Sequence, residues 1–148
     1  MNLIQEFKVR LALRKFYKRL PISFPYKVYD WYLLEDLFKT LTCVKNFPDT
    51  ILLRDDKCRH SYVQMLCTDK FIIHLKTKDM HPHALLHEIA HIVAWTPGDW
   101  HGKKFCGTWL RFAKNYSEVE GKYLEDCFKK FKVEYEFGMS DLIRKEGL

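Results

Sequence analysis

No stretch of this sequence reaches the ~18 apolar residues that crossing a bilayer requires, so no membrane span is expected. The opening run MNLIQEFKVRLALRKF has no clean apolar segment followed by a small-residue cleavage site, and no secretory leader is expected either. No Cys-x-x-Cys occurs. The five cysteines, Cys43, Cys58, Cys67, Cys106 and Cys127, are odd in number and widely spaced. That spacing argues against a disulfide framework and against a cysteine zinc ribbon, and points to free thiols in a reducing, cytoplasmic setting. Internal repeats and low-complexity tracts are missing. Acid is nearly missing from one end: residues 1–20 hold six Lys or Arg and only Glu6, a net of +5, which leaves +1 of the overall +6 for residues 21–148. Such an end can bind nucleic acid through its phosphates, without regard to sequence, or can meet another acidic partner. It can equally be the solvated face of a helix that packs its Leu and Phe on the domain.

What is present suits one domain over residues 1–148. A length of 148 residues, 47% hydrophobic and 16% aromatic, is enough for a single core. Residues 3–20 favour helix by composition, although Phe7, Val9, Leu11 and Leu13 alternate with Lys8, Arg10, Ala12 and Arg14 at strand period. Pro21 and Pro25 should end that segment. A second helix is expected over 28–42, with Trp31, Leu34, Leu37, Phe38 and Leu41 inward, then a turn at 46–49 and a short strand at Ile51, Leu52 and Leu53. Runs 61–67 and 71–76 read as a hairpin. Pro82 suits the first position of a helix reaching Trp95, and Thr96-Pro97-Gly98-Asp99 stops it. Helices follow over roughly 102–115, with Phe105, Trp109, Phe112, Ala113 and Tyr116 on one inward stripe, and, from a Ser117/Glu120 capping box, over a segment in which Val119, Tyr123, Leu124, Cys127, Phe128 and Phe131 share the inward face. Val133, Tyr135 and Phe137 alternate with Glu134 and Glu136 as a short strand would. The fold class that follows is α+β, a small mixed sheet with helices around it.

His87-Glu88-Ile89-Ala90-His91 is an H-E-x-x-H pattern. On a helix, two histidines four apart lie about 40° apart on one face, so both imidazoles can bind one metal ion, Zn2+ by preference. Glu88 falls about 60° further round. It is poorly placed to share the coordination shell, yet within reach of an attacking water whose proton it could accept. Leu85, Leu86, Ile89 and Val93 form a separate apolar face that would anchor the helix.

A catalytic zinc takes three protein ligands and keeps one position open. His101 is the first candidate for the third. Pro97 and Gly98 reverse the chain, and nine intervening residues allow His101 to return to the metal. Glu118 or Glu120 on the last helix would compete. His83 is displaced along the helix axis, and His81 and His74 have no spacing argument. Asp99 is a candidate for orienting a ligand imidazole.

The run HEIAHIVAWTPGDWHGKKF, with its second part His101-Gly102-Lys103-Lys104-Phe105, resembles the SprT and Spartan-like zinc metallopeptidases, and is similar to small bacterial metallohydrolases with the same two-part pattern. The likeness is strong over residues 83–112 and extends by element order over 51–137. It implies a zincin-like fold, His87, His91 and His101 as zinc ligands, Glu88 as general base, and an edge strand that receives an extended protein or peptide substrate. Spartan-type proteins cleave DNA-linked proteins, but the zinc ribbon of SprT proteins has no counterpart in these cysteines. Metzincins are excluded, because Ala94 and Pro97 stand where that group needs glycine and histidine. The expected function is a zinc metallopeptidase, with strand 71–76 as the substrate-binding edge. The alternatives are a non-enzymatic nucleic-acid- or partner-binding domain with structural zinc, and a zinc hydrolase for a non-peptide bond.

Overall fold

The computed structural model describes residues 2–23, 31–79 and 81–136. These residues gather into two compact units, one of residues 31–79 and 81–92, the other of residues 2–23 and 93–136. The secondary structure is mixed α and β: five α-helices and one three-stranded sheet among the described residues. No helix among them is long and apolar enough to cross a membrane.

The first unit carries helix α2 (Trp31–Thr42), strands β1 (Asp49–Arg54), β2 (Tyr62–Cys67) and β3 (Lys70–Leu75), and helix α3 (Pro82–Val93), which ends one residue beyond it. Leu34 and Phe38 are the buried pair of α2, while Trp31, Leu37 and Leu41 are half-buried. Residues 28–30 of the expected helix lie outside the described residues. Asn46 takes φ +71° in the turn before β1, a conformation that Asn tolerates better than most residues. β2 and β3 form the expected antiparallel hairpin, with a register shift between Met65 and Cys67. β1 is longer than its Ile51-Leu52-Leu53 nucleus and pairs with β3 in parallel, so the sheet order is β1-β3-β2.

That order corrects one expectation. Strand 71–76 is expected from sequence to offer its backbone to a substrate, but β3 is the central strand, and its hydrogen-bonding edges are taken by β1 and β2. A central strand has no free row of N–H and C=O groups to add to. Its buried Phe71, Ile73 and Leu75 alternate at period two and fill the core under one face of the sheet.

The second unit is built on α1 (Leu3–Ser23), α4 (Lys103–Tyr116) and α5 (Glu118–Lys130). In α1 the helix period prevails over the strand-like alternation. Gln5, Val9, Ala12 and Phe16 form the buried stripe, and Phe7 is 63% exposed. The helix also runs through Pro21 to Ser23; the lost N–H falls in its last turn, where only two residues follow. Pro25 is outside the described residues. Trp109, fully buried, is the hub of this core. Phe16 meets it edge-on at 5.7 Å, and Phe105 and Phe128 lie at 6.0 and 6.1 Å.

Ser117 separates α4 from α5. Its side chain accepts from the Glu120 N–H at 3.3 Å, half of the expected capping box. The reciprocal arm is not made, because the Ser117 N–H is bound to the Ala113 carbonyl of α4. Tyr116 and Val119, expected inward, are exposed, since each lies where the chain changes helix.

Residues 133–136 are not a strand. Val133 is buried and Tyr135 packs on Phe128 at 5.8 Å, so the alternation is real. The main chain pairs with other partners, however: Glu134 with the Gln5 side chain and Glu136 with the Lys103 carbonyl. Gly107 permits this extended run to lie on α4, because a Cβ there would strike the Glu136 carbonyl. Phe137 is outside the described residues.

Candidate metal centre

α3 starts where the sequence predicts, at Pro82. His81, just before it, caps the helix by accepting the Ala84 N–H on Nδ1 at 3.2 Å. Leu85, Leu86 and Ile89 are buried on the anchoring face, and Val93 is half-buried. The helix ends two residues short of Trp95.

One turn of α3 brings His87 and His91 together. Their Nε2 atoms are 3.2 Å apart and their ring centroids 4.9 Å. Glu88 points elsewhere, as the helical angle requires. It is 6% exposed, and its Oε2 is buried with no hydrogen-bond partner among the described residues. Burial pushes its carboxyl up to about 8, and the charge of Asp79 adds to the shift. A buried carboxyl oxygen without a partner costs free energy unless a ligand or water completes it.

His101 is placed by different means. Thr96-Pro97-Gly98-Asp99 forms a turn closed by the Asp99 N–H to the Thr96 carbonyl at 3.0 Å. Proline at its second position and Gly98 at φ +86° in its third are the residues a type II turn demands. A second turn follows, closed by the Gly102 N–H to the Asp99 carbonyl at 3.2 Å, and His101 is its third residue. Gly102 is the N-cap of α4, and a Cβ there would meet the Asp99 carboxylate, which is why His101 is followed by the smallest residue.

The His101 ring is then fixed by α1. Its Nδ1 lies 3.0 Å from both Oε1 and Oε2 of Glu6, and it stands against Phe105 at 5.0 Å. The His101 carbonyl accepts from Gln5 Nε2 at 3.5 Å and from the Cys106 thiol at 3.4 Å. Glu6 is held below the usual carboxylate range, chiefly by this His101 hydrogen bond. The acid that holds the imidazole is therefore Glu6, not Asp99, whose side chain is turned to the Gly102 backbone.

His87, His91 and His101 each offer one donor nitrogen, a group that could hold a metal ion. The other candidates do not join it. His83 is fully buried, and that burial pushes its pKa down to about 4. His81 is pushed down to about 4 as well, by the same cause. His74 bridges Asp55 Oδ2 at 2.9 Å and Gln64 Oε1 at 2.8 Å beneath the Tyr62 ring, a structural role within the sheet. Glu118 is exposed at the start of α5, and the Glu120 N–H serves the cap.

Sequence reasoning misses Glu6 and Gln5 as parts of this region. One signal is there to find: Glu6 is the single acid among six basic residues, an exception that a merely solvated basic face does not need. No family model, curated protein or solved structure matches the chain.

Proposed function

We propose that the chain is a zinc-dependent metallopeptidase of the zincin kind, similar to SprT and Spartan-like enzymes, with His87, His91 and His101 as ligands and Glu88 as general base. The donor set fits the metal. Three neutral imidazoles with one position left open is the ligand pattern of catalytic zinc, and two nitrogens on a tetrahedral zinc lie about 3.3 Å apart. The His87–His91 separation of 3.2 Å matches that edge. Zinc, when bound, polarises a carbonyl and acidifies water.

The observation that carries the reading from metal binding to hydrolysis is Glu88. A structural zinc site needs no base beside it, yet this chain keeps a buried carboxyl with an unsatisfied oxygen on the same helix turn as two ligands. In its ionised form Glu88 takes a proton from the attacking water and returns it to the leaving amine. In this reading an extended peptide pairs with the outer side of β1 or β2, the two edge strands among the described residues.

The test is Glu88→Gln. The variant should bind one zinc per chain with wild-type stability and lose hydrolysis of fluorescently quenched casein by at least about 100-fold, the usual weight of a general base. Turnover near the wild-type rate would remove Glu88 from the chemistry. A wild-type protein that stays zinc-free after supplementation would remove the whole reading.

A further inference from the structure

The acid that holds His101 comes from 95 residues upstream, on a helix that composition marks as a basic arm. We propose that Glu6 is the positioning residue of the third ligand: it accepts the Nδ1–H of His101 and so fixes the ring with its lone pair on Nε2, the nitrogen turned to the metal. The proposal rests on the metallopeptidase reading and adds to it a working role for α1. Four observations in this unit carry it.

The first is geometry. Both carboxylate oxygens of Glu6 are 3.0 Å from the same ring nitrogen, so the acceptor stays in place if the carboxylate rotates. A neutral imidazole carries one N–H, and an acceptor on Nδ1 decides that the proton resides there. The second is support for Glu6 itself. Asn2 caps α1 by accepting the Gln5 N–H on Oδ1 at 3.0 Å, and the Glu6 N–H bonds to the Asn2 carbonyl at 3.0 Å. The third is Gln5, which is 4% exposed. Its amide donates to the Glu134 carbonyl at 2.8 Å, accepts the Glu134 N–H at 3.1 Å, and reaches the His101 carbonyl, so the first turn of α1 is pinned from two sides. The fourth is charge. Arg10, one turn on, lies 3.4 Å from Glu6 Oε1 and sets an opposite charge beside the carboxylate.

An imidazole ligand whose other nitrogen is held by a carboxylate is a stronger and better-oriented donor, and losing such a partner costs 10- to 100-fold in metal affinity. Glu6 acts on the metal only through His101. It is therefore distinguishable from a ligand and from a residue that merely stabilises the helix.

The experiment measures zinc affinity by chelator competition for the wild type, Glu6→Ala, Glu6→Gln, His101→Ala and Glu6→Ala/His101→Ala. Histidine side-chain nitrogen NMR on the zinc-free proteins accompanies it. Glu6→Ala should weaken zinc 10- to 100-fold. Glu6→Gln, which keeps the shape and a neutral acceptor, should recover part of that loss. With His101 already removed, Glu6→Ala should change affinity less than about twofold, because no ring remains to orient. The spectra should show the proton of His101 on Nδ1 in the wild type and its transfer to Nε2 in Glu6→Ala, a change that a purely structural role would not produce. A wild type that binds zinc while Glu6→Ala binds it equally well overturns the proposal and leaves the metallopeptidase reading standing. A proton found on Nε2 of His101 in the wild type overturns it too. A wild type that binds no zinc overturns both.

Discussion

His87 and His91 are brought together by four residues of chain and one helical turn, whereas His101 is set by two consecutive turns and by a helix 95 residues away. The first arrangement is local. Any sequence that makes α3 makes the pair, and its geometry is fixed once Leu85, Leu86 and Ile89 are buried. The second depends on tertiary structure. The Pro97-Gly98 turn aims the chain, but the ring angle waits for α1 to dock. The proposed ligand set is therefore half local and half tertiary, and the two halves should fail differently.

The largest effect should come from the local half. His87→Ala and His91→Ala should each abolish stoichiometric zinc uptake, measured by metal analysis after gel filtration, because each breaks the imidazole pair that one turn of α3 holds preformed. Each should also remove the stabilisation that bound zinc adds to the folded state, about 4 kcal/mol when zinc is present at a thousand times its Kd. His101→Ala should weaken zinc strongly while Glu118→Ala and Glu120→Ala leave it unchanged. The opposite ranking would hand the third position to an acid of α5.

The same contrast explains what is legible in the sequence. The α3 site reads directly, since the 3.6 period places His87, Glu88 and His91 without reference to anything else. So do the hairpin of β2 and β3 and the aromatic stripe of α4, which are local in chain or periodic. The parallel pairing of β1 with β3 leaves no local trace, so local patterning assigns the edge role to the wrong strand. At residues 133–136 alternation imitates a strand, because a chain lying extended over helices alternates in burial just as one in a sheet does. Glu6 is visible only as a charge of the wrong sign in a basic segment.

An intermediate effect should come from the tertiary half, at Gly107. A Cβ there would strike the Glu136 carbonyl, a backbone atom that cannot swing aside as a side chain can. Gly107→Ala should cost about 1–3 kcal/mol by overpacking, read from the urea midpoint. The displaced 133–136 run carries the Glu134 main chain that holds Gln5, so zinc affinity should fall modestly as well, whereas an equally destabilising change in α2, such as Leu34→Ala, should leave the affinity of the folded protein alone. Equal losses in both variants would erase the distinction between the halves.

A smaller effect is expected from the acid that ties α4 to α5. Glu125 is buried beside Lys114 at 2.9 Å, with Lys122 at 3.3 Å and Lys129 at 3.9 Å, and its carboxyl is held below the usual range, first by the Lys114 hydrogen bond. A carboxylate whose folded pKa is depressed stabilises the fold above its unfolded pKa, and that contribution is lost as pH falls through the folded value. Glu125→Gln should therefore lower stability on the order of 1 kcal/mol at neutral pH. Its difference from the wild type should shrink as the pH drops below the ordinary carboxylate range. A difference that grows on acidification would contradict the ion-pair account.

The smallest effect belongs to the outer face of α1, and it divides that helix in two. Its buried stripe of Gln5, Val9, Ala12 and Phe16 and the acid Glu6 face the unit they help to build, while Arg14 and Lys18 are exposed. The packing favours the solvated-face reading of the basic segment over a free arm, because an arm has no reason to bury Phe16 against Trp109. Arg14→Gln with Lys18→Gln should change stability by less than about 0.5 kcal/mol, the usual range for surface substitutions. Zinc affinity should be unaffected, since neither residue approaches Glu6 or His101. Arg10 is left in place because it pairs with Glu6. If the outer face also meets nucleic acid, the double variant should flatten the dependence of binding on salt by about 0.9 in log–log slope for each phosphate that is no longer neutralised. Filter binding on duplex DNA at several salt concentrations, run beside the zinc titration, reads both at once. A shift in zinc affinity without a change in fold would show that the two faces of α1 are not independent, and the division between its site-building and solvent-facing sides would have to be abandoned.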